Sequence, residues 1–274
     1  MPTIIAFHFP HKTASMFAFE ILNTISRRTG IPHFSQNNRP PNHTDLADAR
    51  VLNVDGTCLR GPVRNFSVIE GAPGNPDKDY RFATPDFLIE GVSYFAVCQV
   101  RDTLDLVVSQ YFSQGWLHTP NDDFSQVRKD LRAGRISVYD YALMEFEGRS
   151  DFGQESILQK MARLRVLEER LGPDRFLCVQ YEEMVVDYDQ WAARIEAFLQ
   201  DAIPGIGSIL SDLRPEYPPP EVDQEFFSDP LEYVAKNGSR LRHVRSPYPG
   251  DHRRFLTPAE IADLRSREQV LIST

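Results

Sequence analysis

Residues 4–22 read "IIAFHFPHKTASMFAFEIL". The first part, with Thr3 ahead of it, is a short apolar run of β-branched and aromatic residues, the composition of a buried strand. The last part places Phe17, Ile21, Leu22 and Ile25 at helical spacing and stops at Gly30. Between the two lies a tight turn that contains Lys12. Strand, lysine-bearing turn and helix form the layout of a phosphate-binding loop. A Walker A loop needs glycines so that its backbone can wrap a triphosphate, and here only Lys12-Thr13 matches its final pair. His11 stands where the last glycine would be, and no glycine occurs before Gly30. Holding a single terminal phosphate takes less wrapping. The free amides at a helix N-terminus, the hydroxyls of Thr13 and Ser15 and the charge of Lys12 would serve it. Taken alone, the stretch fits an ordinary strand–turn–helix with a solvent lysine equally well.

Further along, "SYFAVCQV" (93–100) is apolar nearly throughout, as a strand covered on both faces must be. "RFLCVQY" (175–181) reads the same way, and "RVLNVDG" (50–56) and "NFSVIEG" (65–71) are shorter strand candidates. Helical patterns follow at "RDTLDLVVSQYFS", with Asp102 or Thr103 as N-cap, then at 122–133, 137–146 and 154–171. Two more lie in "DQWAARIEAFL" and in "PAEIADLRSREQVL", which has Pro258 near its start. Residues 31–50 and 71–86 are polar and turn-rich and read as loops. Strands alternating with helices predict an α/β protein: a central, mostly parallel sheet flanked by helices in three layers. No linker divides the 274 residues, so the expectation is one domain over 1–274, with 214–254 as its mobile lid.

The chain is 41% hydrophobic and 25% charged, with a net charge of −9. That charge argues against general nucleic-acid binding. No apolar run approaches the roughly 20 residues of a membrane span, and a strand starting at Thr3 leaves no room for a signal peptide. Cys58, Cys98 and Cys178 have no metal-type spacing, and buried thiols suit the cytoplasm. One segment opposes the general charge. "RLRHVRSPYPGDHRR" (240–254) has five arginines against one acid, +4 in all, which suggests a small anionic ligand.

In "CQVRDTLDLVVSQYF", Arg101 ends the central strand and Ser109 lies eight residues on, along the next helix. A guanidinium at a strand end and a hydroxyl on the following helix can converge on one phosphate. Together with "HKTASMF", this stretch resembles the sulfotransferases that use 3′-phosphoadenosine 5′-phosphosulfate (PAPS) and release 3′-phosphoadenosine 5′-phosphate (PAP). Their first motif reads roughly Pro-Lys-[Ser/Thr]-Gly-Thr-Thr-Trp and binds the 5′-phosphosulfate. Their second, Arg-[Asn/Asp]-Pro-x-Asp-x-x-x-Ser-x-Tyr, binds the 3′-phosphate. The resemblance gives the loop His11, Lys12, Thr13, Ala14, Ser15, Met16 and Phe17 to the donor. Lys12 becomes its phosphosulfate lysine and Phe17 the aromatic that stacks on adenine. Arg101 and Ser109 become the 3′-phosphate ligands. "FLCVQYEEMVVD" is similar to the family strand whose tyrosine, here Tyr181, contacts adenine. "HVRSPYPGDHRRFLT" is similar to the closing Arg-Lys-Gly-x-x-Gly-Asp-Trp loop, with Arg245 on its arginine and Gly250-Asp251 at the expected offset. The four motifs occur in the family's order over residues 4 to about 264. The implied architecture is the P-loop NTPase-like sulfotransferase fold.

There are departures from the pattern. Ala14 replaces the loop glycine, Met16 removes a hydroxyl, and Thr103 replaces proline. Ser246-Pro247 replaces Lys-Gly, a loss that Arg242, Arg253 or Arg254 could make good. The resemblance implies in-line sulfuryl transfer to a hydroxyl or amine of a small-molecule or glycan acceptor, with no metal. Lys12 would neutralise charge on the leaving phosphate. For the general base, the family's Thr-His-Leu-Pro strand has no counterpart here. His33 is preferred and Glu70 is the other candidate. His8 alternates into the first strand as a core residue, and His118 is a candidate for the acceptor pocket. A P-loop-type small-molecule kinase and a non-catalytic nucleotide-binding homologue are the alternatives. Nothing in the sequence assigns an oligomeric state.

Overall fold

The computed structural model describes residues 3–10, 12–34, 56–63, 93–117, 126–147, 157–217 and 247–273. The chain divides into two compact units, Met1–Val100 with Gln159–Arg214, and Arg101–Leu158 with Pro215–Thr274. The strands are β1 (Thr3–His8), β2 (His33–Phe34), β3 (Thr57–Arg60), β4 (Ser93–Val100) and β5 (Phe176–Gln180). The helices are α1 (Ser15–Thr29), α2 (Thr103–Phe112), α3 (Gln126–Arg132), α4 (Val138–Phe146), α5 (Ile157–Leu171), α6 (Tyr181–Val186), α7 (Tyr188–Leu199), α8 (Ile206–Asp212) and α9 (Pro258–Ser273). A π turn spans Ser113–Leu117 and a 3-10 turn spans Asp251–Arg254.

All five strands belong to the first unit and form one parallel sheet in the order β2-β3-β1-β4-β5. Successive strand side chains point to opposite faces. Ile5, Phe7, Leu59, Val97 and Val179 therefore share one face, where they pack with Ile21 and Leu22 of α1, Trp191 and Ile195 of α7, and Ile209 and Leu210 of α8. Ile4, Ala6, Cys58, Tyr94, Ala96, Cys98 and Phe176 share the other, against Leu164, Leu167 and Leu171 of α5. This is the three-layer parallel arrangement that the alternation of elements predicts. Burying each of these large side chains is worth about 1.5–3 kcal/mol. α1 ends as its sequence requires. Gly30 takes a left-handed φ of 75° and its N–H returns to Ser26 O at 2.9 Å.

The strand readings differ in two places. β3 falls at "TCLR" (57–60), just beyond the "RVLNVDG" candidate. Four residues ending in a charge carry little period-2 signal, but Arg60 lies only 2% exposed beneath the sheet. His33 and Phe34, read as loop, form the two-residue edge strand β2, which pairs with Leu59 and Arg60. Most of the first candidate, 50–55, and all of "NFSVIEG" lie outside the described residues.

In the second unit, α2 packs on α4 and on the 3-10 turn. Tyr111 and Tyr141 meet edge-to-face with centroids 5.7 Å apart, and Phe112 meets Phe255 at 4.9 Å. The buried Glu145 carboxylate accepts from Gln110 Nε2 at 3.0 Å and Tyr141 Oη at 3.1 Å. Tyr139 Oη ties α4 to Asp263 of α9 at 2.7 Å. Asp102 is the N-cap of α2, accepting from the amides of Leu104 at 3.0 Å and Asp105 at 3.1 Å.

Gly61, immediately after β3, has φ 126°, and a Cβ there would lie 2.8 Å from the Phe7 carbonyl oxygen. Gly134 has φ 67°, with nothing within 4 Å of an added Cβ. Gly61→Ala is expected to destabilise the protein by about 3 kcal/mol or more. Gly134→Ala should cost only the left-handed penalty of about 1–2 kcal/mol. Urea denaturation of the two variants beside wild type checks the difference.

Candidate functional site

The lysine turn lies at the carboxyl end of β1, where open parallel sheets bind ligands. Thr13 closes it. Its N–H donates to Pro10 O at 3.1 Å and its Oγ1–H donates to the same oxygen at 2.8 Å. Lys12 and Ala14 both adopt left-handed backbone, with φ 72° and 61°. Thr13, between them, turns its own N–H back to Pro10 O. Ala14 thus keeps the conformation a glycine would hold, at a steric cost of about 1–2 kcal/mol. It is also the N-cap of α1. It supplies no side-chain acceptor to the helix amides, and the first turn has no acidic residue. The positive end of a 15-residue helix is therefore open to an anion beside Lys12.

Around the turn, Thr13 is fully buried, Ser15 is buried and Met16 is 50% exposed. Phe17 packs on Tyr188 and Trp191 with centroid distances of 6.3 and 6.1 Å. Tyr181, the first residue of α6, is 5% exposed within the same core cluster. Beneath the turn, Gln99 of β4 donates from Nε2 to Thr13 O at 2.6 Å. His11 lies outside the described residues.

His33 is held at both ring nitrogens. Nε2–H donates to Gly61 O at 2.8 Å, and Nδ1 lies 2.9 Å from the Asn23 carboxamide. Burial lowers its pKa from 6.5, partly offset by the Gly61 hydrogen bond. The atom facing Nδ1 is Asn23 Oδ1, an acceptor, so the neutral ring keeps this contact only with the Asn23 carboxamide flipped to present its NH₂. The ring thereby ties α1 to the end of β3. His8 is fully buried with Nε2 2.9 Å from Tyr94 Oη. Burial, followed by the charge of Arg60, brings its pKa down to about 3, so it is a neutral core residue as its alternation suggests. Glu70 and His118 lie outside the described residues.

In the second unit, Arg101 directly precedes the N-cap of α2 and is 6% exposed. Ser109 is half-buried near the far end of the same helix. Between them in sequence, Asp105 is 1% exposed and accepts three hydrogen bonds. Gly250 N–H binds Oδ2 at 2.7 Å, while His252 N–H and ring Nδ1 bind Oδ1 at 2.9 and 2.6 Å. Burial alone would raise the Asp105 pKa. The His252 and Gly250 hydrogen bonds and the Arg101 charge outweigh it and leave the group below its ordinary 3.8. One carboxylate therefore fastens the Gly250-Asp251 turn to α2. Arg265 pairs with Asp102, and Thr103 Oγ1–H, at the position of the family's proline, donates to Glu268 at 2.5 Å. Asp102, Asp105 and His252 bring ligand-type atoms within 4.8 Å of one another. Both Asp105 oxygens already face N–H donors, which is the chemistry of a tether rather than of a cation cage. Arg245, Arg242 and Ser246 lie outside the described residues.

No protein-family model matches the sequence, and no curated protein matches it significantly. The fold does have counterparts. Mouse sulfotransferase SULT7A1 complexed with PAP superposes with a TM-score of 0.56 at 12% identity, over 99% of this chain and 83% of that one. The fold is the sulfotransferase fold. Retinol dehydratase in complex with androsterone and inactive cofactor PAP superposes with a TM-score of 0.53 at 11% identity, over 99% of this chain and 80% of that one.

Within this sulfotransferase fold, three residues that anchor the motifs escaped the sequence reading. Gln99 had a signal, being the one polar side chain among apolar neighbours near the end of "SYFAVCQV". Asp105 lay inside the second motif without a role. His252 stands where the closing motif has tryptophan, and nothing local marked it as a partner of a residue 147 positions away. Asp105→Asn leaves an amide facing N–H donors and should cost roughly 1–3 kcal/mol at neutral pH. Because the folded-state pKa is depressed, the carboxylate's contribution is present above pH 3.8 and is lost as pH falls through the lower folded value. Chemical denaturation of wild type and variant across pH 2.5–7, the lower limit being roughly the acid end of carboxylate titration, should show the stability gap closing toward acid.

Proposed function

We propose that this protein transfers a sulfuryl group from PAPS to a hydroxyl or amine of a small-molecule or glycan acceptor by in-line displacement. The observation that carries the reading is the lysine turn. It pairs two left-handed, non-glycine residues with an open helix N-terminus on a central parallel strand. That donor set suits one terminal phosphosulfate, with Ser15 at the first position of the helix, while the Thr13 hydroxyl closes the turn on Pro10 O. Support comes from the two solved structures of the same fold, both named with PAP.

In this reading Lys12 and the first amides of α1 bind the 5′-phosphosulfate and Phe17 stacks on adenine beside Tyr181. Arg101, Ser109 and Arg245 take the 3′-phosphate. The donor, when bound, supplies the sulfuryl group and departs as PAP. Lys12 neutralises the charge that appears on the 5′-phosphate oxygen as its bond to sulfur breaks. The acceptor proton passes to a base, for which His33 and Glu70 are the candidates. His33 would serve once Nδ1 gives up Asn23. The free thiols of Cys58, Cys98 and Cys178 support a cytoplasmic place of action. No helix among the described residues is long and apolar enough to cross a membrane.

Saturating PAP should raise the melting temperature by roughly 5 °C or more, and ATP with Mg²⁺ should not. Stabilisation by ATP-Mg²⁺ alone would favour a kinase instead. Lys12→Ala should lower sulfuryl transfer or donor hydrolysis by on the order of 10²–10³-fold. PAP binding with no turnover in wild type would leave a nucleotide-binding homologue. His33→Ala should abolish an acidic limb of kcat/KM that lies below pH 6.5, since burial lowers the pKa of the ring.

A further inference from the structure

Gln99 is fully buried one residue from the end of β4, and the orientation of its carboxamide is determined by its neighbours. Trp191 Nε1–H lies 2.9 Å from Oε1, and an indole nitrogen can only donate. The Gln99 oxygen is thereby committed to Trp191, and its NH₂ must face the other way. There it donates to Thr13 O at 2.6 Å, with Met184 Sδ 3.8 Å away as a weak second acceptor. Trp191 is itself fully buried and stacks with Tyr188 and Phe17, with centroids 5.3 and 6.1 Å away. One pair of side chains therefore touches both the lysine turn and the aromatic ring beside it.

We infer that Gln99 and Trp191 are positioning residues of the donor site, holding the Thr13–Ala14 peptide and the Phe17 ring in their binding orientations. The inference rests on the sulfotransferase reading above. In a planar trans peptide the C=O and N–H point in opposite directions. Drawing the Thr13 carbonyl inward to Gln99 turns the Ala14 N–H outward, toward the anion. Rotating that peptide by roughly 180° would relieve Ala14 of its left-handed φ. The same rotation would aim a carbonyl oxygen at the anion. The Cβ of Ala14 thus favours the wrong peptide orientation, and the buried hydrogen bond from Gln99 opposes it. A glycine at this position would have no such bias.

The test uses the full chain with Gln99→Met, which keeps the size and removes both hydrogen bonds, and Trp191→Phe, which keeps a ring and removes the donor. PAP affinity by calorimetry, melting temperature, and separate KM values for donor and acceptor are measured. The expected result is a roughly tenfold to hundredfold loss of PAP affinity in Gln99→Met and a smaller loss in Trp191→Phe. KM should rise for the donor and stay unchanged for the acceptor. Adding Ala14→Gly to Gln99→Met should recover part of the PAP affinity without recovering melting temperature, a pattern that a purely structural role would not give. Wild-type PAP affinity in Gln99→Met, or no recovery on adding Ala14→Gly, overturns the inference alone. Failure of the wild-type protein to bind PAP overturns the sulfotransferase reading, and the inference with it.

Discussion

A parallel sheet covered by helices on both faces leaves its central strands no route to water, and this constraint organises the first unit. Nearly every side chain of β1 and β4 must be apolar or have its hydrogen bonds met inside the protein. The polar exceptions are few and specific. His8 meets Tyr94 on one face, over Arg60 of β3, while Gln99 meets Thr13 and Trp191 on the other. Burial, only partly opposed by the Arg60 charge, pushes the Tyr94 pKa up to about 12, so this polar group stays neutral and serves as a fastener. Polar chemistry in this unit is displaced to the strand ends, and the Lys12 turn follows β1.

How legible these features were depended on the range of the interactions behind them. Local signals spoke clearly. The apolar runs of β1, β4 and β5, the helical spacing from Phe17 to Ile25, the stop at Gly30 and the Asp102 cap are all set by neighbours within a few residues. β3 was not read because "TCLR" is defined by its two flanking strands rather than by its own alternation. β2 was missed for the same reason, since two residues carry no period. At the candidate site, residue types and spacing singled out Lys12, Arg101 and Ser109 as candidates. The residues that hold the motifs in place were not, because each bond spans a long sequence separation. Gln99 reaches Thr13 across 86 positions and Asp105 reaches His252 across 147.

The same logic explains the departures from the family pattern. Thr103 in place of proline is compatible with the start of α2, where a helix tolerates either, and its hydroxyl gains Glu268 of α9. Histidine in place of tryptophan at 252 exchanges apolar area for one hydrogen bond to Asp105, from the ring, beside a backbone N–H bond that any residue but proline could make there. Ala14, where the family pattern has glycine, adopts a left-handed φ of 61°, a conformation that costs alanine more than it would glycine.

That change in cost has a kinetic side. An alanine samples far less backbone space than a glycine, so the disordered turn has fewer conformations to lose when it forms. The entropic penalty that a glycine-rich phosphate loop defers until its ligand arrives is replaced here by steric strain, met once as the chain folds. On the sulfotransferase reading, an anion approaching Lys12 would meet a turn whose backbone is already set, and little of its binding energy would be spent on ordering it. Association should then be governed by encounter and by the charge of Lys12, with slow loop closure playing no part in the rate.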